Sequence, residues 1–306
     1  MKASKIAIVG GSGRMGMWFA QYFKNKGYEV VLSARNREKL IVAAESLKVG
    51  YANNNEEAVK NADLVMISVP ITSVTSVIKE LAPYFDRNTI VFDITSVKGE
   101  IIKTLEEHSL KYGFKAVSTH PMFGPGAKNL RGHTIAVIPI RGSEDSAEKL
   151  GRIFSEDGAK LVITDGQTHD RMISTVLGLP HFLNILFGKA LLEIPDTLPQ
   201  IKEFSGTTFA LQLLLTECVF REDPELYSEI QMSNKQFLKF LDKMEEIFKE
   251  LKEVVQKNDK TKFAKLFNIV REKLMQDTNY TTAYDLFYQI IEILKTGQMS
   301  KNTPKK

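Results

Sequence analysis

The feature that most constrains the fold is a glycine-rich stretch near the start of the chain, Gly10-Gly11-Ser12-Gly13-Arg14-Met15-Gly16. An apolar, strand-like run over residues 5–9 precedes it, and a segment with helical periodicity follows at once. Gly11, Gly13 and Gly16 fit the pattern G-x-G-x-x-G, which permits a tight turn, close approach of a pyrophosphate and close packing of helix on strand. This strand, loop and helix predict a dinucleotide-binding unit, with phosphates held at the helix N-terminus.

The first half of the chain alternates short apolar runs with amphipathic segments. This alternation is typical of a mostly parallel sheet with helices on both faces. Strands are predicted at residues 5–9, 28–33, 64–68, 89–92, 115–118, 134–138 and 160–163. Helices are predicted at residues 13–26, 37–48, 55–62, 71–84, 98–112 and 143–157. We therefore expect a doubly wound α/β domain of the Rossmann type over residues 1–165.

The second half shows helical periodicity and no convincing strand. Helices are predicted at residues 168–192, 207–220, 224–258, 260–276 and 280–294. Residues 185–192 and 211–215 are apolar most of the way round, as in helices buried in a core or at a subunit interface. We expect an all-α domain over residues 166–296 that forms a homodimer, followed by a flexible tail over residues 297–306.

Composition excludes several classes of protein. The formal net charge is +4 over 306 residues, with no concentrated basic stripe, so we expect no nucleic-acid partner. No apolar stretch approaches the roughly 18 residues that a membrane span needs, so we expect no membrane association. Cys218 is the only cysteine and no signal peptide is visible, which indicates the reducing cytoplasm. We also expect no metal ion, and a small molecule as the substrate.

The end of the second predicted strand indicates which nucleotide binds. NAD-dependent enzymes usually carry Asp or Glu there to bind the ribose 2′-hydroxyl, whereas this chain has Ser33-Ala34-Arg35-Asn36-Arg37. A hydroxyl and two guanidinium groups can bind a 2′-phosphate, which favours NADP over NAD. The alternative is that the two arginines merely begin a solvated helix. Nucleotide contacts are expected from Gly11, Ser12, Gly13, Arg14, Met15, Gly16, Ser33, Arg35, Arg37, Ser68, Val69, Pro70 and Thr95.

Two further segments follow strands at the edge where such sheets bind their ligands. Residues 93–98 would bring Ser96 and Lys98 to the nicotinamide end, and a loop over residues 119–126 carries His120. A histidine titrates near neutral pH, so it could take a hydroxyl proton while a hydride leaves the same carbon. Taken alone, a histidine such as His120 is more often an ordinary loop residue than a catalyst. Its place at the end of a strand in a nucleotide-binding sheet gives the two interpretations equal weight.

At these positions the chain resembles the prephenate/arogenate dehydrogenases of tyrosine biosynthesis, the TyrA family. The His-Pro-Met-Phe-Gly-Pro run together with Ser-Val-Lys is specific to that family, and the resemblance covers roughly residues 5–235. It implies a Rossmann domain followed by a helical dimerisation domain. The matching stretches are Gly10-Gly11-Ser12-Gly13-Arg14-Met15-Gly16, Ser96-Val97-Lys98, His120-Pro121-Met122-Phe123-Gly124-Pro125, His169-Asp170, Leu179-Pro180-His181-Phe182 and Asp223-Pro224-Glu225-Leu226-Tyr227.

The resemblance implies oxidative decarboxylation of prephenate to 4-hydroxyphenylpyruvate, with hydride transfer to NAD(P)⁺. By similarity, His120 would accept the proton of the 4-hydroxyl group and Ser96 would hold His120 and that hydroxyl in line. Lys98 would add positive charge close by, and His181 would face the substrate from the second domain. His169 is assigned a structural or hinge-like role.

One position departs from the family pattern. Family members usually carry a substrate-binding arginine five residues before the Asp-Pro pair, where this chain has Cys218. Arg221 lies three residues further on, close to one helical turn, and is the predicted substitute. Alternatives are Lys98, Lys128, Arg131 or a residue of the partner subunit. A substrate with two carboxylates needs a cation, because a buried unpaired charge is costly.

Three other interpretations stay open. Arogenate differs from prephenate by an amino group in place of a keto group, and no motif distinguishes the two. A β-hydroxyacid dehydrogenase or a deazaflavin-dependent NADP reductase would share the two-domain plan, but the run at His120 argues against both. The former group also relies on a lysine where this chain offers only Lys189, late in its helix. A nucleotide-sensing regulator is the non-enzymatic alternative, and Cys218 is its best support.

Overall fold

The computed structural model describes residues 4–296, and its strands form one eight-stranded sheet. The order is β3-β2-β1-β4-β5-β6-β7-β8; β1 to β6 are parallel, β7 is antiparallel to β6, and β8 is parallel to β7. The strands are β1 (Lys5–Val9), β2 (Glu29–Ser33), β3 (Gly50–Tyr51), β4 (Leu64–Ile67), β5 (Ile90–Asp93), β6 (Lys115–Pro121), β7 (Thr134–Pro139) and β8 (Lys160–Ile163). The predicted tail over residues 297–306 lies outside the described residues.

Helices cover both faces of this sheet. They are α1 (Arg14–Asn25), α2 (Arg37–Leu47), α3 (Asn55–Val59), α4 (Ile71–Leu81), α5 (Gly99–Tyr112) and α6 (Glu144–Ser155). Because side chains alternate across a strand, Ile6 and Ile8 join the apolar core under α1, α2 and α6, whereas Ala7 and Val9 join the core under α3, α4 and α5. The predicted Rossmann-type α/β fold is confirmed. The two-residue strand β3 escaped prediction because it is too short and too exposed to show a pattern.

The rest of the described chain, residues 166–296, contains helices and no strand, which confirms the predicted all-α half. The helices are α7 (Gly166–Ile173), α8 (Leu179–Leu191), α9 (Leu198–Glu203), α10 (Thr207–Phe220), α11 (Pro224–Ser233), α12 (Lys235–Gln256), α13 (Lys260–Leu274) and α14 (Ala283–Thr296). One turn of π-helix, Ser174–Gly178, separates α7 from α8. The predicted helix over residues 168–192 is therefore interrupted.

The prediction of one continuous helix over residues 224–258 is wrong, because the helix is interrupted at Asn234, between α11 and α12. The Oδ1 atom of Asn234 accepts hydrogen bonds from the backbone N–H groups of Gln236 and Phe237 at 3.0 and 3.3 Å. Its Nδ2 donates to the backbone carbonyl of Asp170 at 2.8 Å. Helical periodicity continues across this break, so only the contact with α7 reveals it.

The described chain forms two compact units. One contains the residues up to Leu179 together with Pro224–Phe237, so that α7 and α11 group with the sheet. The other contains Pro180–Asp223 and the residues from Leu238 onward. The domain boundary predicted between residues 165 and 166 marks the change from α/β to all-α structure and stays a prediction. Within residues 4–296, no helix combines the length and hydropathy needed to cross a bilayer.

Candidate active site

The carboxyl ends of five neighbouring parallel strands, β2, β1, β4, β5 and β6, lie along one edge of the sheet. This is the edge at which open α/β sheets bind ligands. The glycine loop follows β1, and the predicted nucleotide contacts at residues 33–37 and 68–70 end or follow β2 and β4. The predicted chemistry at residues 95–98 and at His120 belongs to β5 and β6. The strand order therefore places all of these predicted segments side by side along one edge of the sheet.

The glycine loop forms a cradle that side chains would fill. The backbone N–H groups of Gly10 and Gly11 donate to the carbonyl of Ser33 at 2.8 and 3.0 Å, which ties the loop to β2. Gly10 has φ +85°, and a Cβ on it would overlap the carbonyl of Ser68. A Cβ on Gly16 would lie 2.6 Å from the carbonyl oxygen of Gly10. Gly13 is the N-cap residue of α1 and offers no side-chain cap, which fits a phosphate group in that place.

The end of β2 also fits a nucleotide. The Ser33 side chain is buried, and its Oγ atom has no hydrogen-bond partner among residues 4–296, so a ligand oxygen could satisfy it. Arg35 is exposed. Arg37 is exposed too, but its Nη1 donates to Oδ1 of Asn53 at 3.0 Å. Asn36 caps α2 through the backbone N–H of Lys39 at 2.9 Å.

The segment after β4 is held by a residue that the sequence analysis missed. Pro70 stands at the N-terminus of α4, and Glu229 of α11 accepts hydrogen bonds there from the Ile71 N–H at 2.9 Å and the Thr72 hydroxyl at 3.0 Å. A carboxylate at a helix N-terminus is favoured by the helix dipole. Glu229 lies 157 positions from Thr72 in the chain, and no local pattern links the two.

A fully buried ion pair joins β5 to α5. The Nζ atom of Lys98 lies 2.6 Å from Oδ2 of Asp93, and both side chains have zero exposed surface. The same Nζ donates to the carbonyl of Thr119 at 2.6 Å and to the hydroxyl of Thr95 at 3.2 Å. Burial lowers the pKa of Lys98, and Asp93 opposes that shift. These three contacts occupy all three N–H donors of the ammonium group. Lys98 is therefore a buried structural residue and is not available to a substrate carboxylate.

Thr95 belongs to the same buried hydrogen-bond network. Its hydroxyl and its backbone N–H both donate to Oδ2 of Asp93, and its side chain is buried. The hydroxyl of Ser118 donates to the other Asp93 oxygen. Thr95, predicted as a nucleotide contact, therefore directs its hydroxyl into the protein, away from the ligand edge.

His120 lies within strand β6 and not in the predicted loop. It pairs with Ala136 of β7, and its side chain is buried. The strand predicted over residues 115–118 is too short, because the pairing with the antiparallel strand β7 extends β6 to Pro121. The Nδ1 atom of His120 lies 3.0 Å from Nε2 of His169. Burial above all, then the charge of Lys98 and then the neighbouring His169 hold the pKa of His120 well below its usual value. A neutral imidazole suits a general base.

His169 and Asp170 begin a chain of contacts that ends at His120. The Nδ1 atom of His169 lies 2.9 Å from Oδ1 of Asp170. The Asp170 carboxylate also accepts hydrogen bonds from the backbone N–H groups of Lys98 and Gly99, both at 3.0 Å. The structural or hinge-like role predicted for His169 did not include this contact with His120, for which the adjacent His-Asp pair is the one local signal in the sequence.

Ser96 is half-buried on the segment before α5. In the part of the chain that the structure describes, the hydrogen-bond partner of the His120 ring is His169, and no hydrogen bond joins Ser96 to His120. The role predicted for Ser96 therefore stays a prediction. The described residues also contain no group of three or more His, Cys, Asp or Glu side chains that could hold a metal ion.

In the other compact unit, His181 is half-buried on α8, and burial lowers its pKa below the usual value. Asn184 on the same helix accepts hydrogen bonds through Oδ1 from Gln212 and Thr216 of α10, both at 3.0 Å. These buried contacts fix α8, and hence the backbone of His181, against α10.

The chain matches two domain models of one family. The model described as prephenate dehydrogenase, nucleotide-binding domain, matches residues 19–163. The model described as prephenate dehydrogenase, dimerization domain, matches residues 165–269. The chain belongs to the prephenate dehydrogenase family.

Curated relatives and a solved structure agree with this family. A Methanocaldococcus jannaschii protein named "Probable arogenate/prephenate dehydrogenase" is 34% identical over 263 residues, which cover 85% of this chain and 59% of that protein. The T-protein of Haemophilus influenzae is 30% identical over 269 residues, which cover 88% of this chain and 66% of that protein. A crystal structure of prephenate dehydrogenase from A. aeolicus with hydroxyphenyl propionate and NAD⁺ has the same fold (TM-score 0.74, 22% identity, 90% of this chain and 99% of that chain). The chain thus spans about three fifths to two thirds of the length of these curated relatives.

Within the prephenate dehydrogenase family pattern, the departure at Cys218 lies on α10. Cys218 is exposed near the C-terminal end of that helix, which ends at Phe220. Arg221 follows as the C-cap residue and is also exposed. Lys128 and Arg131, the other candidate cations, are exposed on the segment after β6.

Proposed function

We propose that the protein catalyses the oxidative decarboxylation of prephenate to 4-hydroxyphenylpyruvate, with NADP⁺ as the preferred hydride acceptor. The observation that carries this proposal is a buried histidine, His120, which lies at the ligand edge of the sheet and whose pKa is held well below its usual value by burial. Membership of the prephenate dehydrogenase family supports the same reaction.

In this proposal His120 is the general base. Its Nδ1 faces His169, which leaves Nε2 for the substrate. Nε2 accepts the proton of the 4-hydroxyl group while C4 becomes a carbonyl carbon. The bond from C1 to the carboxylate then breaks, CO2 leaves, and its electron pair makes the ring aromatic as a phenolate, which takes a proton to become the phenol. A positioned base of this kind contributes about 10²- to 10⁴-fold in rate. Bound nicotinamide supplies the acceptor for the hydride that leaves C4.

The residues that would hold the dinucleotide are those of the glycine loop and the end of β2. The uncapped start of α1 suits the pyrophosphate, and the orphaned Ser33 hydroxyl suits a ribose or phosphate oxygen. Arg35 is exposed after β2, where an NAD-dependent enzyme would carry a carboxylate. This arrangement supports NADP over NAD, with Arg35 as the ligand of the 2′-phosphate. Arg37 contributes less, because Asn53 already engages its guanidinium group.

The two carboxylates of the substrate need cations. We propose that Arg221 binds one of the two carboxylates, with Lys128, Arg131 or a residue of a partner subunit as alternatives. His181 would contact the substrate from α8. Ser96 would contact the 4-hydroxyl group or the nicotinamide ribose. We also propose a homodimer through the helical half, for which the dimerization-domain model supplies the support, and a cytoplasmic location, which the lone exposed cysteine supports.

The test is the initial rate of reduced-nicotinamide formation by the purified protein, with prephenate or arogenate and with NAD⁺ or NADP⁺. We expect turnover with prephenate, faster with NADP⁺ than with NAD⁺. A rate with arogenate alone would move the substrate to the amino analogue and leave the chemistry intact. No rate in any of the four mixtures, with nucleotide binding intact by fluorescence titration, would contradict catalysis and favour a nucleotide-sensing regulator.

A further inference from the structure

The Asp170 carboxylate sets the direction of a hydrogen-bond chain. The backbone N–H groups of Lys98 and Gly99 reach its two oxygens at 3.0 Å each, and backbone N–H groups can only donate. An ionised carboxylate can only accept. The third partner is Nδ1 of His169, 2.9 Å from Oδ1. That nitrogen must carry a hydrogen, since a ring lone pair facing a carboxylate oxygen would be repelled.

The direction passes from His169 to His120. A neutral His169 that carries its hydrogen on Nδ1 presents a lone pair at Nε2. That Nε2 lies 3.0 Å from Nδ1 of His120, so the His120 nitrogen must donate. Neutral His120 then carries its hydrogen on Nδ1, and its lone pair stands on Nε2. The Asp170 carboxylate therefore sets the tautomer of the His120 ring, with His169 as the link between them.

We propose that His169 and Asp170 are positioning residues that fix His120 in the Nδ1–H tautomer, so that Nε2 receives the proton of the substrate. This inference rests on the proposed function, in which His120 is the base. Neither residue needs to touch the substrate or the nucleotide. The chain also stabilises the imidazolium that forms in the reaction, because His169 can accept from it while Asp170 supplies negative charge.

The surrounding elements hold this chain of contacts rigid. Asp170 joins the start of α5 to α7, and Asn234 binds the backbone carbonyl of Asp170 at 2.8 Å. On the other side of His120, the hydroxyl of Thr119 donates to the carbonyl of Asp93 at 2.6 Å, and Lys98 donates to the carbonyl of Thr119. Both rings are buried, so water cannot compete for the intervening hydrogen bond.

The charged and titratable groups around His120 act in opposite directions. Lys98, at the start of α5, disfavours protonation of His120, and Asp93 of β5 forms an ion pair with the Lys98 ammonium group. From α7, a protonated His169 would repel the imidazolium, whereas Asp170 attracts it. Burial and Lys98 keep the resting base neutral, and the His169–Asp170 pair limits the cost of its protonation during turnover.

The first experiment reads the tautomer directly and needs no turnover. The protein has five histidines, so ¹⁵N-labelled imidazoles can be followed individually in two-bond ¹⁵N–¹H correlation spectra at about pH 8, above the usual histidine pKa. The His120 signals are assigned by their loss in His120→Asn. We expect the shift pattern of an Nδ1–H tautomer in the wild-type protein. An Nε2–H pattern would overturn the proposal.

Two substitutions then separate positioning from packing. His169→Gln keeps a carbonyl that can accept from Nδ1 of His120, whereas His169→Phe fills the space without an acceptor. We expect His169→Phe to lower kcat about 10²-fold with KM and NADP⁺ affinity unchanged, and His169→Gln to recover part of that loss. His108→Gln, on α5 away from the site, is the matched control. An unchanged kcat in a folded His169→Phe would overturn the proposal.

A failure of this inference can be distinguished from a failure of the proposed function. If wild-type protein turns over neither prephenate nor arogenate, the function is wrong, yet the wild-type spectrum still decides whether His169 and Asp170 fix the ring. If His169→Phe does not fold, the same spectrum and the His169→Gln kinetics decide. An active enzyme with the Nε2–H tautomer would remove the positioning role alone.

Discussion

Among single residues, the site depends most on a histidine whose pKa is lowered inside the protein. His120 sits in a strand next to a buried cation and a second histidine, and all three influences named for it lower its pKa. Water would otherwise stabilise the imidazolium at mildly acid pH. The fold therefore preserves the form of the ring that can accept a proton.

We predict that His120→Asn lowers kcat at least about 10²-fold and leaves NADP⁺ affinity unchanged, because the amide cannot accept the proton. Because the pKa of His120 is lowered, the wild-type base stays active until the pH falls well below about 6.5, and activity is lost as the pH falls further. The same shift makes the folded protein less stable as the pH falls below about 6.5, because the unfolded chain then binds the proton more readily than the buried ring does.

Steady-state kinetics across pH and fluorescence titration of NADP⁺ measure these outcomes, with His108→Gln as the control. A loss below about fivefold in His120→Asn would remove His120 from the base role. An acid limb centred above pH 6.5 would contradict the lowered pKa.

Among the secondary-structure elements, the first βαβ unit depends on close contact between the glycine loop and α1. Gly16 packs so tightly that an added Cβ would lie 2.6 Å from the carbonyl oxygen of Gly10 and 2.9 Å from Cα of Gly11. Both neighbours are backbone atoms and cannot turn aside. The helix would have to move away from the loop that it helps to form.

We predict that Gly16→Ala destabilises the protein by about 1–3 kcal/mol, as overpacking usually does, and weakens NADP⁺ binding. Gly50→Ala on β3 is the matched control, because its added Cβ would meet Val30 only at an ordinary 3.4 Å. Urea unfolding and nucleotide titration of both variants give the comparison. Equal stability and equal affinity in the two variants would show that the loop tolerates a Cβ.

The helical half of the protein leaves apolar side chains exposed on α13. One face of α13 carries Phe263, Phe267, Val270 and Leu274 at helical spacing, and each exposes about half of its surface (47–57%). Contiguous apolar patches of this kind mark interaction surfaces. This face suits contact with a second copy of the chain, in keeping with the proposed dimer.

We predict that Phe267→Glu shifts the protein from dimer towards monomer, because a carboxylate would be buried without a partner. Lys265→Glu, an exposed position between the apolar residues, is the matched control for the charge. Sedimentation velocity at several protein concentrations measures the mass of each species. A wild-type monomer at all concentrations, or a Phe267→Glu dimer as stable as the wild type, would contradict this surface as the interface.

Local pattern in the sequence determined the alternation of strands and helices, the glycine loop, and the change to helices near residue 165, because hydrophobic period and turn chemistry act over a few neighbouring residues. It also pointed to His120 as the base. The surroundings of that ring depend on the folded chain: Lys98 forms a buried ion pair with Asp93, and His169 contacts His120 across 49 positions of chain. The break at Asn234 likewise depends on Asp170, 64 positions away. Such partners are chosen by burial, which requires each polar group to find a hydrogen bond wherever the fold supplies one.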